Sequence, residues 1–245
     1  MPFMTPLLRS LTILSAAAVL GGAFVGEASA KCTIPRIAAE YEVIKEQRAK
    51  CEKDDSLPFC EKAEDYQPLM TPDEANAAWK CLGVEELSKG FDSKSFPTNV
   101  AYKEWKNFSS SPYQSAHINR FVDDVSAQAI YVANYANEKA KNYGKYEKSG
   151  KMPAGAILAK YSMVISGQGG VIDLAPVYLM EKVKKGSSKN TGDWKYDLVA
   201  PKDLKLLGRE VDMDFTQELC AGCHMNYGIK SDSMLFMPED VRVRN

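Results

Sequence analysis

Histidine is scarce in this chain: two occur in 245 residues, His117 and His224. Any chemistry that needs an imidazole therefore rests on one of those two positions. A net charge is also missing, with 31 basic residues against 32 acidic ones and a formal charge of −1. Setting aside the first 30 residues removes Arg9 and Glu27 and leaves the balance unchanged. A near-neutral chain offers no electrostatic footprint for nucleic acid or an anionic membrane surface, so neither is expected as the main partner. Beyond residue 30 no apolar run approaches the roughly 20 residues needed to cross a bilayer. Internal repeats and low-complexity tracts are absent as well.

What is there begins with an export signal. Arg9 supplies a positive n-region, Leu11 to Val25 an apolar h-region, and Ala28-Ser29-Ala30 a small-residue cleavage site. The expectation is a chain cleaved after Ala30 and soluble in the periplasm, an oxidising compartment.

Residues 31–90 read as a small helical extension. Ile34, Ile37, Ala38, Tyr41 and Ile44 recur at intervals of three and four, which gathers them on one helical face. Thr71-Pro72-Asp73-Glu74 is a helix start, with Thr71 as N-cap, Pro72 at the first helical position and Glu74 at the third; Trp79 and Leu82 then face inward. The segment holds four cysteines, Cys32, Cys51, Cys60 and Cys81. An even number in an exported chain reads as two disulfides. Of the three pairings possible, we expect the nested one: Cys51 with Cys60 across the Pro58 turn, and Cys32 with Cys81 tying the helices together.

Residues 91–245 shift towards strands. Ala129 to Ala133, Gly155 to Ile165, Pro176 to Val183 and Trp194 to Ala200 read as strands, with a helical stretch near Asn137 to Tyr146. Gly167-Gln168-Gly169-Gly170 lacks the Lys-Ser/Thr ending of a phosphate loop and reads as a hairpin turn. Gaps this short favour antiparallel pairing, because parallel crossovers need a dozen or more residues. The expected fold is α+β: an antiparallel sheet with packed helices, plus the disulfide-linked helical extension.

The chemistry concentrates at Cys220-Ala221-Gly222-Cys223-His224. Two thiols one helical turn apart can add across the two vinyl groups of a haem, and the adjacent imidazole can then reach the iron. A zinc site would need a second ligand pair, and the other four thiols are already spoken for. One covalent haem c is therefore expected, bound through Cys220 and Cys223 with His224 as the metal ligand. Met225, Met234 and Met237 follow the motif. Met225 adjoins the proximal histidine and cannot reach the opposite face, while the other two sit in an apolar run that reads as core. His117 reads as a packing residue, which favours an open sixth position.

In order along the chain, Met152-Pro153-Ala154-Gly155-Ala156-Ile157-Leu158-Ala159-Lys160, then Gly192-Asp193-Trp194-Lys195-Tyr196, then the late haem motif with Asp232, Phe236 and Arg242, resemble the cytochrome P460 family, which includes the cytochromes c′-β. The resemblance runs from around Tyr102 to Val243 and leaves out the cysteine-bearing extension. It implies a homodimer on an antiparallel sheet and a haem open on one side. It also implies a function: oxidation of hydroxylamine or a similar small nitrogen species, with electrons passed to a soluble redox partner. The alternatives are non-catalytic binding of nitric oxide or carbon monoxide, and simple electron transfer. The family's haem-linked lysine falls on Lys160, the only charge between Met152 and Ile172. For a distal proton acceptor, Asp173 and Glu181 are candidates.

Overall fold

The computed structural model describes residues 32–60, 68–84, 105–115, 129–166, 169–199 and 213–243, with residues 213–217 described by backbone only. The expected signal segment, His117 and the boundary near residue 90 lie outside them.

Among the described residues, seven strands form one antiparallel sheet: β1 (Cys32–Thr33), β2 (Lys106–Asn107), β3 (Tyr113–Ser115), β4 (Ile130–Ala136), β5 (Ile157–Ser166), β6 (Val171–Lys182) and β7 (Trp194–Val199). β4, β5 and β6 make its centre. β2 and β3 share the outer side of β4, and β1 and β7 share the outer side of β6. The helices are α1 (Pro35–Cys51), α2 (Pro72–Cys81) and α3 (Met213–Tyr227). The fold is α+β, as the spacing of strands and helices predicts.

Alternation along the central strands sorts side chains to two covered faces. Tyr131, Tyr135, Tyr161, Met163 and Leu179 face one way and pack with Ile34, Ile37 and Trp79 of the helical extension. Ala136, Leu158, Met180, Trp194 and Tyr196 face the other way and pack with Ala221 of α3 and with Met234 and Met237. The extension thus covers the sheet face opposite the helix that carries the cysteine–histidine motif. A register shift between Lys160 and Ser162 marks a bulge on β6 at Pro176 and Val177. A proline inside a central strand is tolerated there, because a bulge leaves a residue without a ladder bond to donate.

The extension is held by several devices. The disulfides are Cys32–Cys81 and Cys51–Cys60, the nested pairing. Cys32 lies on β1 opposite Ile172 of β6, so the first bridge ties α2 to the sheet edge. Thr71 and Glu74 form the capping box: the Glu74 amide donates to Thr71 Oγ1 at 3.3 Å, and the Thr71 amide donates to Glu74 Oε2 at 2.9 Å. Arg36 of α1 donates twice to the same carboxylate, at 2.8 and 2.6 Å, and holds its pKa down at about 2. Tyr131 on β4 accepts the Met70 amide at 2.6 Å. The chain enters α1 over Gly170, whose φ is +63°; a Cβ there would lie 2.6 Å from the Ala38 nitrogen. Only glycine lets the turn and the helix approach this closely.

Three local expectations change. The stretch after β4 is a 3₁₀ helix, Glu138–Lys148, capped by Asn137 and broken at Tyr146, where φ is +51°. The break at Tyr146 and the low helix propensity of Gly144 keep the turns short. β6 begins at Val171, five residues before the predicted start, because Pro176 sits within the strand at its bulge. The short strands β1, β2 and β3 have no period of their own and exist by pairing with longer neighbours.

Loop closure ranks the two bridges. Cys32–Cys81 spans 49 residues and Cys51–Cys60 spans 9. The chain-entropy relation gives about 4 kcal/mol for the first and about 2.6 kcal/mol for the second. Replacing Cys32 and Cys81 by serine should therefore lower unfolding stability by more than replacing Cys51 and Cys60. Denaturant titration measures both, and an equal or reversed loss would contradict this account.

Candidate functional site

α3 lies against β7 and carries the motif on its last turns. Cys220 and His224 are four residues apart, so they share a face. That face looks into a partly open cavity that both residues line. Cys223 is exposed on the neighbouring face, and both thiols are free. The walls are largely apolar, from Leu158, Ala159, Leu179, Met180 and Leu235, with Asn134, Tyr143, Lys160, Tyr178, Tyr196 and Asp197 added.

His224 is 7% exposed. Its Nδ1 lies 2.8 Å from the Ser233 carbonyl oxygen. A carbonyl can only accept, so Nδ1 carries the proton and Nε2 keeps its lone pair. Burial, helped by the charge of Lys160, lowers the His224 pKa to about 4. The ring is therefore a neutral imidazole at pH 7, the form that ligates a metal. The Tyr196 ring lies against it at 5.2 Å.

Lys160 sits on β5 between Asn134 of β4 and Tyr178 of β6. This is a central strand, so a gatekeeper role on a sheet edge does not apply. Burial pushes its pKa down to about 8. Among the described residues no hydrogen-bond or ion-pair partner engages its ammonium. Beside it, Tyr113 donates to Asn134 Oδ1 at 2.9 Å and Asn134 Nδ2 donates to the Tyr143 hydroxyl at 2.6 Å, which fixes the amide's orientation. Burial raises the pKa of the Tyr143, Tyr178 and Tyr196 phenols, which keeps them protonated.

Other sequence candidates lie elsewhere. Met234 and Met237 are core residues, and Met225 sulfur accepts from Ser233 Oγ at 3.1 Å; none of the three lines the cavity. Asp173 is exposed and accepts from Ser166 Oγ, and Glu181 is half-buried; neither lines the cavity. Asp197, buried and 3.1 Å from Lys195 Nζ, borders the cavity from β7, but it stands opposite Leu179 in the ladder and alternates with Tyr196, so its side chain belongs to the row that faces away from α3. Sequence reasoning passed over Asp197, although an aspartate in the strand Trp194–Val199, beside Leu198 and Val199, is a visible anomaly.

The donor set suits a covalently attached macrocycle: two free thiols a turn apart, a neutral imidazole with Nε2 available, and apolar walls. Among the described residues no group of three or more His, Cys, Asp and Glu side chains is placed to hold a bare metal ion. No family model matches the chain, and no curated protein matches it.

The lysine makes a measurable prediction. Its folded pKa, about 8, lies below the ordinary 10.5. The cost of burying its charge is therefore complete below pH 8 and relieved as pH rises towards 10.5. Lys160→Met should raise stability by about 3 kcal/mol at pH 7, with the gain shrinking steadily above pH 8. Urea titration of both chains at pH 7 and pH 10 reads the difference; a gain that does not depend on pH would refute a buried ammonium.

Proposed function

We propose that this chain is an exported mono-haem c-type cytochrome of the cytochrome P460 type, which oxidises hydroxylamine or a similar small nitrogen species. The observation that carries the reading is the His224 side chain: buried, neutral, and proton-locked on Nδ1 by Ser233, on a helix whose Cys220 and Cys223 thiols are free. Cys220 and Cys223 would hold the haem through thioether bonds and His224 would ligate its iron. The haem, when bound, supplies a redox-active iron that accepts electrons from the substrate and passes them to a soluble partner protein.

The remaining residues have roles that follow from position. Lys160 projects from the middle of the sheet with a pKa lowered to about 8, so about a tenth of it is the nucleophilic free amine at pH 7. Two disulfides in the extension accord with export to the periplasm. Homodimer formation is part of the same reading and rests on the family resemblance.

A proteolytic digest of the protein exported from a host competent in cytochrome maturation tests this directly. The expected product is haem joining the Cys220–Cys223 peptide to the Lys160 peptide, with hydroxylamine oxidation in the presence of an electron acceptor. Haem on the cysteines with an unmodified Lys160 peptide, nitric oxide binding and no turnover would replace the enzyme with a gas-binding protein. A six-coordinate, low-spin spectrum that refuses added ligands would point to an electron carrier. A colourless product with free or mutually bridged thiols would end the reading.

A further inference from the structure

The turn that follows α3 contains two consecutive non-glycine residues in the left-handed region, Asp232 at φ +53° and Ser233 at φ +63°. Such residues are uncommon singly and persist only where their surroundings over-determine them. The surroundings do so. Asp232 Oδ1 accepts from Lys182 Nζ at 2.7 Å, and the two side chains are only 9% and 10% exposed. Asp232 Oδ2 accepts the Met152 amide at 2.8 Å, and its backbone carbonyl accepts Trp194 Nε1–H at 2.6 Å. Lys182 also donates to the Gly192 carbonyl at 2.8 Å and lies 4.8 Å from the Trp194 ring centre. Every group at this junction is therefore tied to β6, to β7 or to the loop before β5.

The output of the junction is one atom. Ser233 amide donates back to Gly228 at 2.7 Å, and its carbonyl oxygen lies 2.8 Å from His224 Nδ1. Gly228 permits the close crossing: a Cβ there would lie 2.7 Å from both the His224 oxygen and the Ser233 carbonyl carbon. We infer that the buried Lys182–Asp232 ion pair is a positioning device for His224, holding the strained turn so that the Ser233 carbonyl stays on Nδ1 and sets the ring's tautomer, orientation and donor strength. The inference rests on His224 being a haem ligand for its consequence at the iron, while the effect on the imidazole itself stands without haem. A partner that fixes the far nitrogen of a ligating histidine strengthens the ligand, and its loss commonly costs about 10- to 100-fold in hold on the metal.

The test uses Asp232→Asn and Lys182→Met, which break the pair, and Lys182→Arg, which keeps it. Glu147→Gln, which cuts an exposed pair to Arg242 in the same C-terminal region, serves as control. Haem content of the exported wild type reports on the proposed function alone. In haem-loaded protein, resonance Raman should show a lower iron–His224 stretching frequency, and the reduction potential should rise as the ferric form loses its stronger donor. Both changes should appear in the pair-breaking variants and be absent from Lys182→Arg and Glu147→Gln. In haem-free chain, solvent exchange of the His224 Nδ1 proton, followed by NMR, should accelerate about tenfold in the same variants. If a lone buried charge prevents folding, the Lys182→Gln/Asp232→Asn double variant, which leaves none, carries the same readouts in the same direction. Folded, pair-broken protein with unchanged proton exchange and, where haem is present, an unchanged stretching frequency would overturn the inference.

Discussion

Alternation of side chains along β4, β5 and β6, reset once by the bulge in β6, is the constraint on which the rest of this structure depends. These strands are central, so both of their faces must be covered, and their registers decide which residues meet which cover. One face sends its tyrosines and aliphatics to the disulfide-bonded helices; the other sends Leu158, Lys160, Tyr178 and Met180 towards α3. A slip of one residue would exchange the two sets, placing Lys160 under the extension and removing it from the cavity. The bulge at Pro176 falls between the part of β6 that pairs with β1 and the part that pairs with β7, and it shifts the alternation by one residue, so that Ile172 and Leu174 before it and Val177 and Leu179 after it meet the same cover.

Polar groups kept inside this framework are distributed unevenly. Lys182 and Asp232 are charged, buried and fully engaged by named partners, which is how a low-dielectric interior accommodates ions. Lys160 is the opposite case: burial lowers its pKa and no described carboxylate compensates. The first arrangement stabilises geometry and the second preserves reactivity. Both lie on the face of the sheet that α3 covers, one behind the His224 imidazole and one in the wall of the cavity that His224 also lines.

Much of this was legible in the sequence because it depends on local pattern. Thr71 and Glu74 cap α2 since a four-residue motif suffices to satisfy the helix's first amides. The hairpin at Gly169 and Gly170 follows from residues that alone adopt positive φ cheaply. The nested disulfides follow from a short loop around Pro58 and a helix pair to be joined. Strand ends were less legible, and although a helical stretch near Asn137 to Tyr146 was expected, its 3₁₀ type was not, because spacing does not separate the two helix types over so few turns. Asp197 stands out beside Leu198 and Val199, but its burial depends on pairing with β6, which no local pattern records.

What the sequence by itself determined is the chemistry available: two thiols and an imidazole at fixed helical spacing, an isolated lysine in an apolar strand, and four more thiols to staple an extension. Covalent connectivity and short-range periodicity carry that information without a fold. Tertiary structure alone decided which nitrogen of His224 is protonated, that Lys160 shares a cavity with it, and that the extension covers the opposite side of the sheet. Those facts arise from contacts between residues tens of positions apart, which exist only once the strands have settled their register and both faces have been closed.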